Sequence, residues 1–455
     1  MRPTENPIPA APAVTRQLAG FIENTRWSDL PTAIQHEAKR ALVNYFAVAL
    51  AGCDDPDIGK VLALQGCLRG GGQGRVIGRS ERLDMLDAAA INAMSANVYD
   101  FDDTHIPTII HPTAPVAAAL FALAETRPVS GEQLLLALAL GIEVECRLGM
   151  ALHPWHYQRG WHITSTCGVF GAAAAVGNVL GLNARQLHWA LGNASAQASG
   201  LVETLGSAAK SLSVGNAPRN GMLSALLAEQ GFAGPEQPLE GERGFLRVMG
   251  EQPRYAALQQ GLGEQWSLAA NTYKPYPCGV VLNPVIEACL ALAQQRDWSR
   301  EPIDRIELIG HPLLRERTDR PTIGLGRESQ VSAQHAVAVS LLTGQAGLAS
   351  FSDAAVADER LRALYPKLVM RDDPSYSVES AQVHIWLQSG ELVSHRVETA
   401  RGGLALPLSD AELEAKLREL AAYGRSGCAV APLLDGLWAL DKAADAGHLM
   451  ALAAG

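Results

Sequence analysis

The sequence has few charged or aromatic residues, and its cysteines show no spacing typical of a metal site. Charged residues make up 18% of the chain and aromatic residues 5%, whereas hydrophobic residues make up 48%. This composition argues against intrinsic disorder and favours closely packed helices over sheets. The seven cysteines contain no CxxC pair, which argues against a structural zinc site or a disulfide framework. A reducing, cytoplasmic location is therefore expected.

Several other signals are missing. The net charge is −10 and no long basic run is present, so we expect no nucleic-acid partner. The motifs GxxxxGK[ST], HExxH and GxSxG are absent, which argues against P-loop NTPases, zincins and α/β-hydrolases. The N-terminal segment lacks the apolar region of a signal peptide. The uncharged run 163–182 is not flanked by basic residues in the manner of a membrane anchor, so we interpret it as a buried central helix and expect no membrane partner.

Hydrophobic periodicity predicts a mainly α fold with an inserted α+β segment. Helices are predicted over 32–51, 83–98, 115–125, 134–150, 208–230, 330–343, 353–364 and 438–453, with N-terminal caps at Ser130, Asn183 and Ser409. Strands are predicted over 303–310, 383–387 and 392–397. The sequence therefore predicts a large all-helical domain formed by both chain ends, 1–270 and 403–455, with a smaller α+β lid domain over 271–402. A ligand cleft is expected at such a domain junction.

Four segments are dense in polar groups. They are residues 100–111, 159–166, 206–221 and 273–279. The carboxylates and histidines of the first segment could bind a metal or perform acid–base chemistry, or they could simply cap helices. The lysines of the last two segments could bind an anion, or they could lie at the surface.

Together these segments resemble the MmgE/PrpD family. The resemblance is carried by YDFDDTH at 99–105, HPTAP at 111–115, GWHITST at 160–166, Lys210 with GNA at 215–217, and KPYPC at 274–278. It implies a helical domain with an α+β lid, a homodimer and a small polycarboxylate substrate. We expect no cofactor and no metal.

The resemblance also implies site residues. Family active-site positions fall on Asp100, Thr104, His111, His162, Lys210 and Lys274, and a further position, often tyrosine in the family, is His335 here. We assign His162, His111, Asp100 and Lys210 to catalysis. Thr104, Lys274, His335 and Arg219 are assigned to substrate binding.

The expected activity is that of a lyase using metal-independent acid–base chemistry beside a carboxylate. The first prediction is a 2-methylcitrate dehydratase-like hydro-lyase. The alternatives are a cis-aconitate decarboxylase-like carboxy-lyase and an iminodisuccinate-type epimerase. Remoter alternatives are a metal-dependent hydratase, using Asp100, Asp102, Asp103, His105 and His111, and a non-catalytic helical binding protein.

Overall fold

The computed structural model describes residues 13–68 and 72–455. The first twelve residues, which include most of the segment examined for a signal peptide, lie outside the described residues. The chain forms two compact units. The first contains the described residues up to Ala96, Thr104–Asn271 and Lys416–Gly455, and the second contains Asn97–Asp103 and Thr272–Ala415. The predicted ranges differ from these units chiefly at 97–103 and 403–415.

Helices dominate the first part of the chain, and its strands are only two residues long. These elements are α1 (Val14–Asn24), α2 (Thr32–Gly52), α3 (Pro56–Leu68), β1 (Gly74–Arg75), β2 (Arg82–Leu83), α4 (Met85–Asn97), β3 (Thr104–His105), α5 (Thr113–Ala124), α6 (Gly131–Leu152), α7 (Trp155–Gln158), α8 (Ile163–Val179), α9 (Ala184–Ser195), α10 (Ala208–Glu229), α11 (Phe245–Met249) and β4 (Asn271–Thr272). The predicted caps at Ser130 and Asn183 are confirmed, since both accept a backbone hydrogen bond from the third helical residue.

Helix α8 is the buried centre of the first unit and packs against α5, α6, α9 and α10. Small residues allow its backbone to approach its neighbours closely. A Cβ atom added at Gly141 in α6 would lie 2.7 Å from the carbonyl oxygen of Gly171 in α8, and one added at Gly221 in α10 would lie 2.6 Å from Ala172 Cβ. The prediction of a buried central helix is therefore confirmed. Among the described residues, no helix combines the length and apolar composition needed to cross a bilayer.

The second unit contains a four-stranded sheet covered by helices. Its elements are α12 (Asn283–Ala293), β5 (Ile303–Gly310), α13 (Pro312–Thr318), α14 (Gly326–Ser329), α15 (Ala333–Thr343), α16 (Asp353–Val356), α17 (Glu359–Arg362), β6 (Leu368–Asp372), β7 (Ala381–Leu387) and β8 (Leu392–Val397). The strand order is β6-β5-β7-β8, with β6 parallel to β5 and the other pairs antiparallel. Alternate residues of β7 are buried, and the hydrophobic core includes residues of α12 and α15. The mainly α fold with a small sheet-containing region is confirmed.

The predicted C-terminal helix over 438–453 is wrong. The chain ends with α18 (Asp410–Tyr423), α19 (Val430–Trp438) and α20 (His448–Leu452). Between the last two, the Gly131 amide donates to the Ala443 carbonyl and the Ala446 amide donates to the Val129 carbonyl. These bonds to the start of α6 take backbone groups that a continuous helix would use internally.

Candidate active site

The first turn of α8 carries the strongest candidate for proton transfer. His162 is the N-cap residue of α8 and is 3% exposed. Its backbone amide donates a 3.0 Å hydrogen bond to the Gly200 carbonyl, and its neighbour Trp161 forms a β-bridge with Leu201. The imidazole therefore lies at the positive end of a 17-residue helix, a position that favours negative charge on a bound molecule.

Hydrogen bonds join His162 to the helix that carries Lys210. His162 Nδ1 lies 2.8 Å from Ser165 Oγ, which lies 2.9 Å from Ser213 Oγ. Ser213 Oγ donates a 2.8 Å hydrogen bond to the Lys210 carbonyl. The side chain of Lys210 is buried. These bonds connect His162 to the backbone of Lys210 within the first unit.

Strand β3 and the loop that follows it carry two more predicted residues, and the loop contacts the same turn of α8. Thr104 Oγ1 lies 3.4 Å from His111 Nδ1, and the His111 amide donates a 3.0 Å hydrogen bond to Thr164 Oγ1. In this loop Ile109 has φ +56°, a left-handed conformation that costs about 1–2 kcal/mol for a residue with a Cβ. Such strain is concentrated at functional sites. Thr104, His111 and His162 therefore share one region of the first unit.

His105 and His156 are buried histidines of the first unit with structural hydrogen bonds. His105 Nδ1 lies 2.7 Å from Thr108 Oγ1. His156 bonds through Nδ1 to the Met249 carbonyl and through Nε2 to Thr166 Oγ1. Burial lowers the pKa of each imidazole to about 4, so both rings are neutral at neutral pH.

Arg219, a predicted substrate-binding cation, forms an ion pair in the first unit. Its Nε lies 3.2 Å from Asp87 Oδ1, with the arginine side chain 34% exposed and the carboxylate 3% exposed. The buried carboxylate accounts for this cation structurally. Substrate binding by Arg219 stays a prediction.

Asp100 and Lys274 form a partly buried ion pair in the second unit. Lys274 Nζ lies 3.2 Å from Asp100 Oδ2 and donates a 2.7 Å hydrogen bond to the Asp100 carbonyl. The lysine side chain is 3% exposed and that of the aspartate 25%. Asp100 has φ +50°, a strained conformation that aspartate tolerates better than most residues. The ammonium group thus already has a carboxylate partner, the kind of group a polycarboxylate substrate would offer.

Neighbouring contacts hold this ion pair in place. Gln330 Nε2 donates a 2.6 Å hydrogen bond to the Tyr99 carbonyl, immediately before Asp100. A Cβ atom added at Gly402 would lie 2.6 Å from Pro275 Cδ, immediately after Lys274. Both residues of the pair are therefore fixed through their chain neighbours.

His335 lies in the core of the second unit, away from any exposed surface. It is 0% exposed. Its Nδ1 lies 2.7 Å from Tyr365 Oη and its Nε2 lies 2.7 Å from the Ser350 carbonyl oxygen. Burial lowers its pKa. Substrate binding by His335 stays a prediction, but it would require one of these buried hydrogen bonds to break.

Sequence reasoning did not single out the hydroxyl groups that connect these residues. Thr164, Ser165 and Thr166 appeared only as part of the 160–166 motif, and Ser213 was given no role. Ser165 follows His162 by three positions and Ser213 follows Lys210 by three, the spacing that places side chains on one helical face. That spacing is the signal that could have identified them.

Comparison with known proteins agrees with the motifs. The MmgE/PrpD N-terminal domain matches residues 16–258, and the MmgE/PrpD C-terminal domain matches residues 276–431. A cis-aconitate decarboxylase of Aspergillus terreus (strain NIH 2624 / FGSC A1156) is 28% identical over 479 residues, which cover 97% of this chain and 96% of that protein.

Two mammalian proteins of the same name are also similar. The cis-aconitate decarboxylase of Mus musculus is 28% identical over 427 residues, covering 89% of this chain and 86% of the relative. That of Homo sapiens is 30% identical over 355 residues, covering 74% of this chain and 73% of the relative. The similarity therefore extends over both compact units.

Proposed function

Because the chain belongs to the MmgE/PrpD family and is a lyase, we propose that it is a carboxy-lyase acting on cis-aconitate or a closely similar unsaturated polycarboxylate. The observation that carries this choice is the similarity, over nearly the whole chain, to proteins named cis-aconitate decarboxylase. It favours the alternative that the sequence left open over the first prediction, a 2-methylcitrate dehydratase-like hydro-lyase.

The proposed reaction breaks a carbon–carbon bond and moves one proton. When CO₂ leaves, the electron pair of the broken bond remains on the substrate and is delocalised towards a remaining carboxylate. Cations near that carboxylate stabilise the developing negative charge. A weak acid then protonates carbon and completes the reaction.

In the first unit, His162 is the proposed proton donor. An imidazole ring can both donate and accept a proton through its nitrogens, so it can deliver a proton and recover one in each cycle. Lys210 is the proposed cation beside the developing charge. His111 and Thr104 are proposed to assist proton transfer and to donate a hydrogen bond to a carboxylate.

In the second unit, Lys274 is proposed to bind a substrate carboxylate. Its present partner, Asp100, is itself a carboxylate at 3.2 Å, so exchange of one anion for another would preserve the charge balance of a buried ammonium group. Asp100 is then available to orient a proton-transfer group or to act as a base.

A substrate screen by NMR in deuterated water tests the proposal. The purified protein is incubated separately with cis-aconitate, 2-methylcitrate, citrate and iminodisuccinate. We expect loss of CO₂ from cis-aconitate and one deuterium bound to carbon in its product. Water loss from 2-methylcitrate without any CO₂ release would contradict the proposal and restore the hydro-lyase prediction. Deuterium exchange in iminodisuccinate alone would indicate the epimerase.

We also propose that turnover needs no metal and that the protein is a homodimer. Activity that survives dialysis against a chelator, with no stoichiometric metal by elemental analysis, is the expected result. Chelator-sensitive turnover would instead favour the metal-dependent hydratase. Light scattering coupled to size-exclusion chromatography should give twice the chain mass of 48.3 kDa.

A further inference from the structure

We propose that Ser165 and Ser213 are positioning residues that keep the side-chain proton of neutral His162 on Nδ1. The three groups form a continuous path from the imidazole to the Lys210 carbonyl, with distances of 2.8, 2.9 and 2.8 Å. The inference deepens the proposed function, because it specifies which ring nitrogen of His162 exchanges a proton with the substrate.

The Lys210 carbonyl sets the direction of the whole path. A carbonyl oxygen can only accept, so Ser213 must use its single hydroxyl proton for the bond to Lys210. Ser213 Oγ can then only accept from Ser165 Oγ, which uses the proton of Ser165 in turn. Ser165 Oγ must therefore accept from His162, and the ring nitrogen that faces it is Nδ1.

The reverse arrangement leaves one contact without a proton. If Ser165 donated to His162 Nδ1, the two serine oxygens would face each other at 2.9 Å with no hydrogen between them, while Ser213 remained committed to the Lys210 carbonyl. Ser165 is 2% exposed, so this loss would occur where burial makes an unmade hydrogen bond costly.

The backbone around His162 restricts the alternative side-chain conformations of His162 and Ser165. The His162 amide is bonded to the Gly200 carbonyl at 3.0 Å. A Cβ atom added at Gly200 would lie 2.6 Å from Ser165 Cβ and 3.5 Å from His162 Cβ. The segment around Gly200 thus packs against both side chains and restricts the space in which Ser165 can turn away.

The consequence concerns which nitrogen does the chemistry. With Nδ1 protonated in the neutral ring, Nε2 carries the lone pair, and the imidazolium formed on protonation carries its exchangeable acidic proton on Nε2. The path thus assigns proton transfer to Nε2 and makes Nδ1 the anchored nitrogen. The peptide carbonyl of Lys210 contributes to catalysis by orienting this path, in addition to the proposed role of its ammonium group.

Nitrogen-15 NMR of protein with labelled histidine rings tests the assignment without turnover. Two-bond proton–nitrogen correlations distinguish a neutral ring protonated on Nδ1 from one protonated on Nε2, and the His162 signals are identified by their loss in H162Q. We expect the Nδ1-protonated form in the wild-type protein. In S213A, Ser165 can donate to the ring, so a substantial Nε2-protonated fraction should appear.

The matched variants are S213T, which restores the hydroxyl, and S224A. Ser224 lies on the same helix and donates a similar hydrogen bond, to the Asn220 carbonyl. In the turnover assay S213A should lower kcat about tenfold, with KM little changed. The reason is that one neutral hydrogen bond favours the Nδ1-protonated ring by about tenfold. S213T and S224A should remain close to the wild type in both measurements.

The outcomes separate this inference from the proposed reaction. A wild-type His162 ring protonated on Nε2, or an S213A protein with unchanged ring signals, would overturn the inference. If S213A does not fold, S165A serves instead, because it removes the acceptor of Nδ1 and should likewise mix the two forms. The expected NMR result without CO₂ release from cis-aconitate would support the path and overturn the proposed reaction.

Discussion

Two buried histidines begin apolar helices in different regions of the molecule, yet their surroundings differ. His162 caps α8 in the first unit, where Nδ1 faces the Ser165 hydroxyl, which accepts a hydrogen bond in the proposed path. His335 lies in the first turn of α15 in the second unit, where one ring nitrogen meets a phenol and the other a carbonyl. Burial alone therefore does not identify a catalytic histidine. The partners of both ring nitrogens must be considered.

Replacement of His162 tests its proposed role in catalysis most directly. H162Q should lower kcat/KM by about a hundredfold or more, because general acid–base catalysis contributes that much. The thermal midpoint should change little. H188Q is the matched control, since His188 bonds to the Pro235 carbonyl on the surface of the first unit. A folded H162Q protein with near-normal turnover would remove His162 from the mechanism.

Replacement of His335 should have the opposite pattern. H335L leaves the Ser350 carbonyl and the Tyr365 hydroxyl without their buried partner, which should lower the free energy of unfolding by about 2–4 kcal/mol. If His335 serves only the core, kcat/KM of the folded protein should remain close to the wild type. Y365F, which removes one of the two bonds, should give a smaller loss in denaturant unfolding. A stable H335L protein that has lost turnover would instead support substrate binding by His335.

The elements that sequence predicted well are those specified by local patterns. Strand 303–310 and the caps at Ser130 and Asn183 were found where expected, because alternation and capping depend on neighbouring residues. Strand β6 was missed, since its five residues show no strong apolar alternation. The predicted helix 353–364 is two short helices, because Asp358 interrupts it by capping α17.

Long-range contacts explain what sequence could not provide. Residues 97–103 were assigned to the helical domain, but Lys274 and Gln330 bind this segment within the second unit. Those pairs are separated by 174 and 231 positions. Likewise nothing in the sequence pairs His335 with Tyr365. The family resemblance supplied the candidate residues, whereas the hydrogen bonds that distinguish His162 from His335 required coordinates.

Substitution of Gly200 tests the packing around His162 and should lower kcat/KM less than substitution of His162. Gly200 has φ +134° and Gly206 has φ +82°, but only Gly200 is crowded by a neighbouring side chain. G206A should cost only the strain of a left-handed residue, about 1–2 kcal/mol. G200A should add a clash with Ser165 and lower kcat/KM about tenfold if His162 moves. Equal kcat/KM of the two variants would show that displacement of Ser165 does not move His162 enough to affect catalysis.

The pH dependence of stability concerns histidines outside the proposed chemistry. Burial lowers the pKa of His156 from its ordinary value of 6.5 to about 4, so the unfolded chain binds a proton first as pH falls. Stability from the neutral ring is therefore complete above about pH 6.5 and is lost progressively down to about pH 4. H156N, which can retain a donor to the Met249 carbonyl, should weaken this pH dependence of the thermal midpoint. An unchanged slope would mean that His105 and the carboxylates dominate acid unfolding, and that neutral His156 matters for packing rather than for proton linkage.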